Sequence, residues 1–250
     1  MLEKIDGIIM KTQDYGETHK IVTICSESLG KFSAIARGAK KPKSRMAAVT
    51  QPFIYGQYLV YVSRGLSTLQ QGTIIESFRP IREDIEKTAY AAYILELTDK
   101  LVDSKRPDPY LFKQLYETIK WISEHDESHI PIMMYELKLF AKGGIAPVID
   151  KCVNCGENET SLFAFSIREG GLLCQKCVHL DQHSVPLTNV LVKLLSIFSL
   201  TGLEQVGTIS VKDENKQLLR QLLDAYYDQY GGYFLKTRKF IKQMSRLAKD

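Results

Sequence analysis

The chain has 250 residues, a net charge of +4, a charged fraction of 25% and a hydrophobic fraction of 44%, enough apolar material for one large domain or two or three smaller ones without disulfide support. No stretch approaches the roughly 18 consecutive apolar residues that a membrane span needs, and the opening Met-Leu-Glu-Lys-Ile-Asp-Gly has neither an apolar signal core nor an Arg- and Ser-rich presequence. A cytoplasmic protein is therefore expected, and an odd count of five cysteines speaks against a disulfide scaffold.

From residue 1 to about 80 the pattern is that of strands. β-Branched and aromatic residues alternate with polar ones over 5–10, 19–25, 31–36, 53–62 and 69–78, and Gly, Pro and Ser punctuate them. Five short strands with one long connection over 37–51 suit a small closed barrel of the OB type, with an open twisted sheet as the alternative. Cys25 lies within the apolar run 21–25 and reads as a buried strand residue, with no His or acid placed to make it a nucleophile.

Charge is unevenly spread over this region. Between Glu27 and Glu76 there is no acidic residue, while Lys31, Arg37, Lys40, Lys41, Lys43, Arg45 and Arg64 all fall in that interval. A segment of one sign expects an anionic partner. The stretch Arg37-Gly38-Ala39-Lys40-Lys41-Pro42-Lys43-Ser44-Arg45 is too rich in Gly, Pro and small residues for a strand or a regular helix, so an exposed loop is expected. Beside it, alternation puts Phe53, Tyr55 and Tyr61 on one strand face and Tyr58, Val60 and Val62 on the other. One face must be core, and if the first set points outward it offers stacking surfaces of the kind single strands use.

After Pro80 the period becomes helical. Over 82–102, Ile85, Ala89, Ala92, Tyr93 and Leu97 can share a face. Asp108-Pro109 is a cap followed by a first-turn proline, and Leu111, Leu115, Ile119 and Ile122 supply the stripe behind it. A helix over 130–142 should stop at Gly143-Gly144. His125 and His129, just before it, read as solvated loop residues. Further helices are expected over 188–200, 213–230 and 233–247. In the last, Phe240, Ile241, Met244 and Leu247 form an apolar stripe with Arg238, Lys239, Lys242, Arg246 and Lys249 opposite, first of all a surface helix and secondarily a second nucleic-acid contact or a dock for an acidic protein tail.

Between these helices, Cys152-x-x-Cys155 and Cys174-x-x-Cys177 are separated by eighteen residues, the spacing of paired zinc knuckles. Each turn lets two thiolates converge on one ion, Gly156 can supply a positive φ, and two turns complete a tetrahedral shell with no open position for substrate. One structural Zn2+ is expected, held by Cys152, Cys155, Cys174 and Cys177. The rival is a catalytic or mixed site using His179 and His183, but neither pair follows a Pro or sits with the His-x-Glu of a zinc deaminase.

The fold class that results is α+β multidomain: an N-terminal β-barrel (OB-fold) over 1–80 that binds nucleic acid, then an all-α domain over 81–250 interrupted by an inserted four-cysteine zinc finger at about 151–180. The candidate nucleic-acid contacts are Arg37, Lys40, Lys41, Lys43, Arg45 and Arg64. No Gly-x-x-x-x-Gly-Lys-Ser/Thr, Gly-x-Gly-x-x-Gly or His-Glu-x-x-His occurs, so an enzyme is not expected.

The order of these features resembles the RecO family of recombination mediators, a bacterial DNA-repair group. The resemblance covers nearly the whole chain. It rests on Arg37-Gly38-Ala39-Lys40-Lys41-Pro42-Lys43-Ser44, on Gly143-Gly144-Ile145-Ala146-Pro147 shortly before Cys152-Val153-Asn154-Cys155-Gly156, on Gly170-Gly171-Leu172-Leu173-Cys174-Gln175-Lys176-Cys177, and on Leu235-Lys236-Thr237-Arg238. It implies a protein that binds single- and double-stranded DNA, anneals strands covered by single-stranded-DNA-binding protein (SSB), and works with RecR to help RecA load. It also implies that Arg37, Lys40, Lys41, Lys43 and Arg45 contact DNA. Lysines at 40 and 41, where relatives often have arginines, keep the charge and lose the bidentate phosphate fork. The competing class is an RNA-binding OB and zinc-ribbon protein of the translation or transcription machinery.

Overall fold

The computed structural model describes residues 1–158 and 162–247, with the side chains of 245–247 outside the description. The chain divides into two compact units, Met1–Ser128 together with Leu235–Asp250, and His129–Phe234.

The first unit is built on five strands, β1 (Leu2–Tyr15), β2 (His19–Ser26), β3 (Gly30–Ala36), β4 (Tyr55–Tyr61) and β5 (Ser67–Glu76). They close in the order β1-β2-β3-β5-β4, the five-stranded Greek-key barrel of the OB-fold. All pairs are antiparallel except the short β3–β5 contact, Ala34↔Ser67 to Ala36↔Leu69, which shuts the barrel. β1 serves two neighbours: its first half pairs with β4, its second with β2, and a register shift between Ile9 and Lys11 lets it bend between them. At the exchange point a Cβ on Gly7 would lie 2.8 Å from the Cys25 carbonyl oxygen, so only glycine lets three backbones meet there. The interior is the inward half of each alternating strand, including Ile5, Ile9, Val22, Ile24, Phe32, Tyr58, Val60 and Leu69, with small Ala34 and Ala36 on β3.

Phe53 breaks the expected alternation. It precedes β4, in a left-handed conformation (φ 74°), donates its N–H to the Ile9 carbonyl and is buried. Tyr55 packs its ring 5.0 Å from that of Tyr116 and 6.3 Å from that of Phe112. Tyr61 alone of that set is exposed.

A one-turn helix α1 (Arg45–Val49) lies inside the long connection, capped by the Ser44 hydroxyl, which accepts from the Met46 N–H. Outside the barrel, α2 (Arg79–Glu83), α3 (Ile85–Leu101) and α4 (Pro109–Glu124) follow, and α8 (Lys236–Leu247) returns to pack on α3. Asp108 caps α4 as expected, accepting from the Leu111 N–H at 2.9 Å, and Leu111, Leu115, Ile119 and Ile122 are all buried. Ile85 departs from expectation: it is 70% exposed, because the buried surface of α3 begins a turn later, at Ala89. Glu96 on α3 accepts from the N–H groups of Lys236 and Thr237 and from the Thr237 hydroxyl, placing a carboxylate at the N-terminus of α8 where the orphan amides and the helix dipole favour it.

The second unit holds α5 (His129–Lys142), a three-stranded sheet of β6 (Leu162–Ser166), β7 (Gly171–Cys174) and β8 (Val185–Pro186) in the order β7-β6-β8, then α6 (Asn189–Leu200) and α7 (Asp213–Tyr230). α5 ends at Gly143-Gly144 as expected, with Gly143 N–H to Leu139 O and Ile145 N–H to Phe140 O both 2.8 Å. His129 is the first residue of α5, while His125 is exposed and stacks on Trp121. α5 is buried nearly all round, and its two buried charges are answered internally. The fully buried Glu136 carboxylate accepts two bonds from Arg220 (2.8 and 2.7 Å), and Lys138 donates to the carbonyls of Phe198 (3.0 Å) and Thr201 (2.7 Å) at the end of α6.

Candidate metal centre and nucleic-acid interface

Two short turns bring the four cysteines together. In the first, Cys152 N–H bonds Glu157 O (2.7 Å) and Gly156 N–H bonds Cys152 O (2.9 Å), with Gly156 at φ 76° where a side chain would be strained. In the second, which leaves the end of β7, Cys177 N–H bonds Cys174 O at 3.0 Å. Val153 N–H to Leu172 O, 2.8 Å, sets one turn against the strand that carries the other. The four sulfurs lie within 4.8 Å of one another, and Cys155 Sγ and Cys174 Sγ are 3.6 Å apart. A tetrahedral zinc tetrathiolate with bonds of about 2.3 Å has sulfurs about 3.8 Å apart, so the cluster has the size one such ion needs. All are free thiols. Among the described residues the cluster is four cysteines, and neither His179 nor His183 joins it.

The surroundings favour the thiolate at Cys152, while the neighbouring sulfurs raise the thiols of Cys155 and Cys177. Burial pushes the Cys152 thiol up, but the backbone N–H groups of Cys155, Cys174 and Asn154 outweigh it and bring it to about 6. Asn154 Nδ2–H reaches Cys177 Sγ at 3.3 Å, and Cys174 N–H reaches Cys152 Sγ at 3.5 Å. Such donors orient and support sulfur ligands. Behind the second turn Asp181 accepts from the Ser166 hydroxyl (2.5 Å) and the His183 N–H (2.9 Å), which hold its carboxyl below the usual range. Cys25 is the opposite case: burial drives its thiol to about 12, as suits an inert core residue.

The cationic loop is also ordered by its backbone. Successive turns run Lys41 N–H to Gly38 O, Ser44 N–H to Lys41 O and Ala47 N–H to Ser44 O. Ala39 plugs into the barrel interior at 1% exposure. Lys40 N–H bonds Thr18 O, and Gly38 N–H bonds His19 Nδ1, both at 2.9 Å. Arg37, Lys40, Lys41, Lys43 and Arg45 are exposed around this anchored path. Among the described residues, Asp14 is the one carboxylate paired with a cation of the loop, 2.7 Å from Lys40 Nζ, and that hydrogen bond holds the Asp14 carboxyl below its ordinary range.

Two other members of the acid-free interval lie elsewhere. Lys31 is buried and spent internally, 3.2 Å from Asp99. Arg64 is exposed, but its turn lies toward the start of β3, because β5 runs parallel to β3 from Ala34↔Ser67. The loop leaves β3 at its other end, beyond Ala36. Lys105 Nζ donates to the carbonyls of Ser63 (2.8 Å), Gly65 (3.3 Å) and Arg64, fixing that turn. The basic side of α8 presents Lys236, Lys239 and Lys242 as exposed, with Ile241 and Met244 half-buried and Phe240 41% exposed. The side chains of Arg246 and Leu247, and Lys249 altogether, lie outside the described residues. Sequence reading missed Asp14, Thr18 and His19 as supports of the loop. Their signal, a hairpin end opposite the end of β3, appears only with the strand register.

No helix among the described residues is long and apolar enough to cross a membrane. The family model described as Recombination protein O N terminal matches residues 1–78, and that described as Recombination protein O C terminal matches residues 82–239. A DNA repair protein RecO of Oceanobacillus iheyensis is 57% identical over 244 residues, covering 98% of this chain and 94% of the relative. Those of Bacillus pumilus and Bacillus mycoides are each 46% identical, covering 100% and 98% of this chain and 97% and 99% of theirs. An OB barrel, a helical region and a four-cysteine cluster thus stand in a chain matched end to end, and it belongs to the RecO family of DNA repair and recombination proteins.

Proposed function

We propose that the chain is a recombination mediator with no catalytic centre. It binds single- and double-stranded DNA, anneals complementary strands coated with SSB and, with RecR, helps load RecA onto SSB-coated single strands. The barrel (1–80) is the nucleic-acid-binding domain and 81–250 the helical domain, with the metal insert at about 151–180. The observation that carries this reading is the anchored loop with five exposed cations in nine residues, only one of them paired with an acid among the described residues.

Arg37, Lys40, Lys41, Lys43 and Arg45 contact phosphates, and Arg64 is an outlying contact for a longer strand. Phosphate contacts of this kind carry no base information, so binding is indifferent to sequence. Annealing needs no covalent chemistry. Two polyanions repel, and a cationic surface that holds one strand lowers the cost of bringing up the other. Lysine suits this because its compact, hydrated ammonium contacts phosphate without fixing one geometry, so strands can shift while bases search for register. ATP use in RecA loading belongs to RecA.

Cys152, Cys155, Cys174 and Cys177 would hold one Zn2+, which supplies a structural crosslink between two turns and leaves no position for substrate. The chain's own part is to bring four sulfurs together from two turns, one at Cys152–Cys155 and one leaving the end of β7, and to aim N–H donors at them.

The test is annealing of SSB-coated complementary strands by the purified protein and by the triple variant Lys40→Glu, Lys41→Glu, Lys43→Glu. The wild type should accelerate annealing and the variant should lose at least about tenfold of that acceleration, since three of about five phosphate contacts are reversed. An undiminished rate would remove the loop from the mechanism.

A further inference from the structure

We infer that His19 is a positioning residue for the DNA-binding loop: its imidazole, accepting through Nδ1, fixes Gly38 and thereby the direction in which the loop presents its cations. The inference rests on the reading of that loop as the phosphate-contacting surface.

His19 opens β2, immediately after the β1–β2 turn. Its Nδ1 accepts the Gly38 N–H at 2.9 Å, with the Thr18 hydroxyl at 3.4 Å as a second, longer contact. An imidazole that accepts at Nδ1 carries its proton on Nε2, so the bond selects one tautomer of the ring. Gly38 is the hinge of the loop. It sits at φ 68°, and its carbonyl accepts the Lys41 N–H at 3.0 Å, closing the first of the turns that carry Lys40, Lys41 and Lys43. Register explains why the ring is there: Lys20 pairs with Ala36, so the residue before Lys20 lies opposite the chain as it leaves β3.

The remaining anchors cannot do the same work. Ala39 fixes depth by plugging the barrel, and Lys40 N–H to Thr18 O fixes the following residue. Neither satisfies the half-buried Gly38 amide. With His19 replaced by alanine that amide has to turn toward water, and the turn closed by Gly38 O turns with it. The cations remain, but their arrangement is no longer preset, and a strand must order them on binding.

The experiment compares wild type, His19→Ala, His19→Asn and Lys41→Glu/Lys43→Glu. A fluorescent single-stranded oligonucleotide reports affinity at several salt concentrations, and hydrogen exchange reports the Gly38 amide. Asparagine is the informative variant, because its Oδ1 stands near the place of Nδ1 and accepts the same bond. His19→Ala should weaken binding about fivefold, as for one lost hydrogen bond, with the log–log salt slope unchanged because no charge is removed. Its Gly38 amide should exchange faster. His19→Asn should restore both affinity and protection. If His19→Ala binds like wild type while the charge-reversed loop binds poorly, His19 does not position the loop, and the loop reading stands. If His19→Asn protects the Gly38 amide yet binds as weakly as His19→Ala, fixing Gly38 does not set the presentation of the cations, and the positioning role is wrong. If the charge-reversed loop also binds like wild type, the reading on which the inference rests falls with it.

Discussion

The cysteine cluster and the cationic loop solve the same problem from opposite signs. Each gathers groups that would repel if all were charged, and each does so with short turns closed by backbone N–H groups. They differ in how they tolerate an absent ligand. Thiols can keep their protons until a cation arrives, so four of them can stand together without four negative charges. Lysines and arginines have no such exit at neutral pH. The loop is therefore held by things other than charge balance: Ala39 in the barrel, the Thr18 carbonyl, and His19. A site for a cation can thus shed its charge until filled, whereas a site for a polyanion stays charged and must be braced by other contacts beforehand.

This contrast can be broken in the cysteine cluster first, where the largest effect is expected. Zinc sites in small peptides are worth about 10 to 16 kcal/mol, an upper guide where helices add their own packing. Cys174→Ser, or exhaustive chelation, should release one zinc per chain and lower the unfolding midpoint by about 10 °C or more, as several lost kcal/mol would. A metal-free sample melting like the untreated protein would mean that the cluster is not a stability element.

Reversal of charge in the loop comes next. Lys41→Glu/Lys43→Glu should reduce single-strand affinity by about a hundredfold at low salt while leaving the thermal midpoint nearly unchanged, because these exposed side chains contribute nothing to the barrel core. A midpoint that fell instead would show that the cations stabilise the fold.

Smaller effects sharpen the comparison. Glu96 answers the N-terminus of α8 internally, and Glu96→Ala should cost about 1 kcal/mol by denaturant unfolding, the worth of a helix cap. Asp14 is the loop's own substitute for a phosphate. Asp14→Asn should tighten binding to single-stranded DNA by up to about fivefold, the range of an exposed ion pair, and weaker binding would mean that Asp14 holds Lys40 in its working position instead.

Legibility in the sequence followed how local each cause is. The helix starting at Asp108-Pro109, the stop at Gly143-Gly144 and the two cysteine turns are written within a few residues each, and they appear where the sequence puts them. The barrel was readable because inward positions alternate with regular spacing. Alternation failed at Phe53, where the chain passes through a left-handed conformation before β4 begins and the count of faces is reset. Helical periodicity in turn misplaced Ile85, because the first turn of α3 stands outside the buried surface that begins at Ala89. Charge was the least local signal. Lys31 and Lys41 look alike in an acid-free segment, yet one is buried against Asp99, from a helix almost seventy residues away, and the other is exposed.

That the exposed cations of residues 37–45 meet phosphates is tested most directly by the salt dependence of binding to a single-stranded oligonucleotide. With about five contacts at roughly 0.7 each, log affinity should fall against log salt with a slope of about −3.5, and Lys41→Glu/Lys43→Glu should bring it to about −2. A slope near zero, or one that the double variant leaves unchanged, would contradict it.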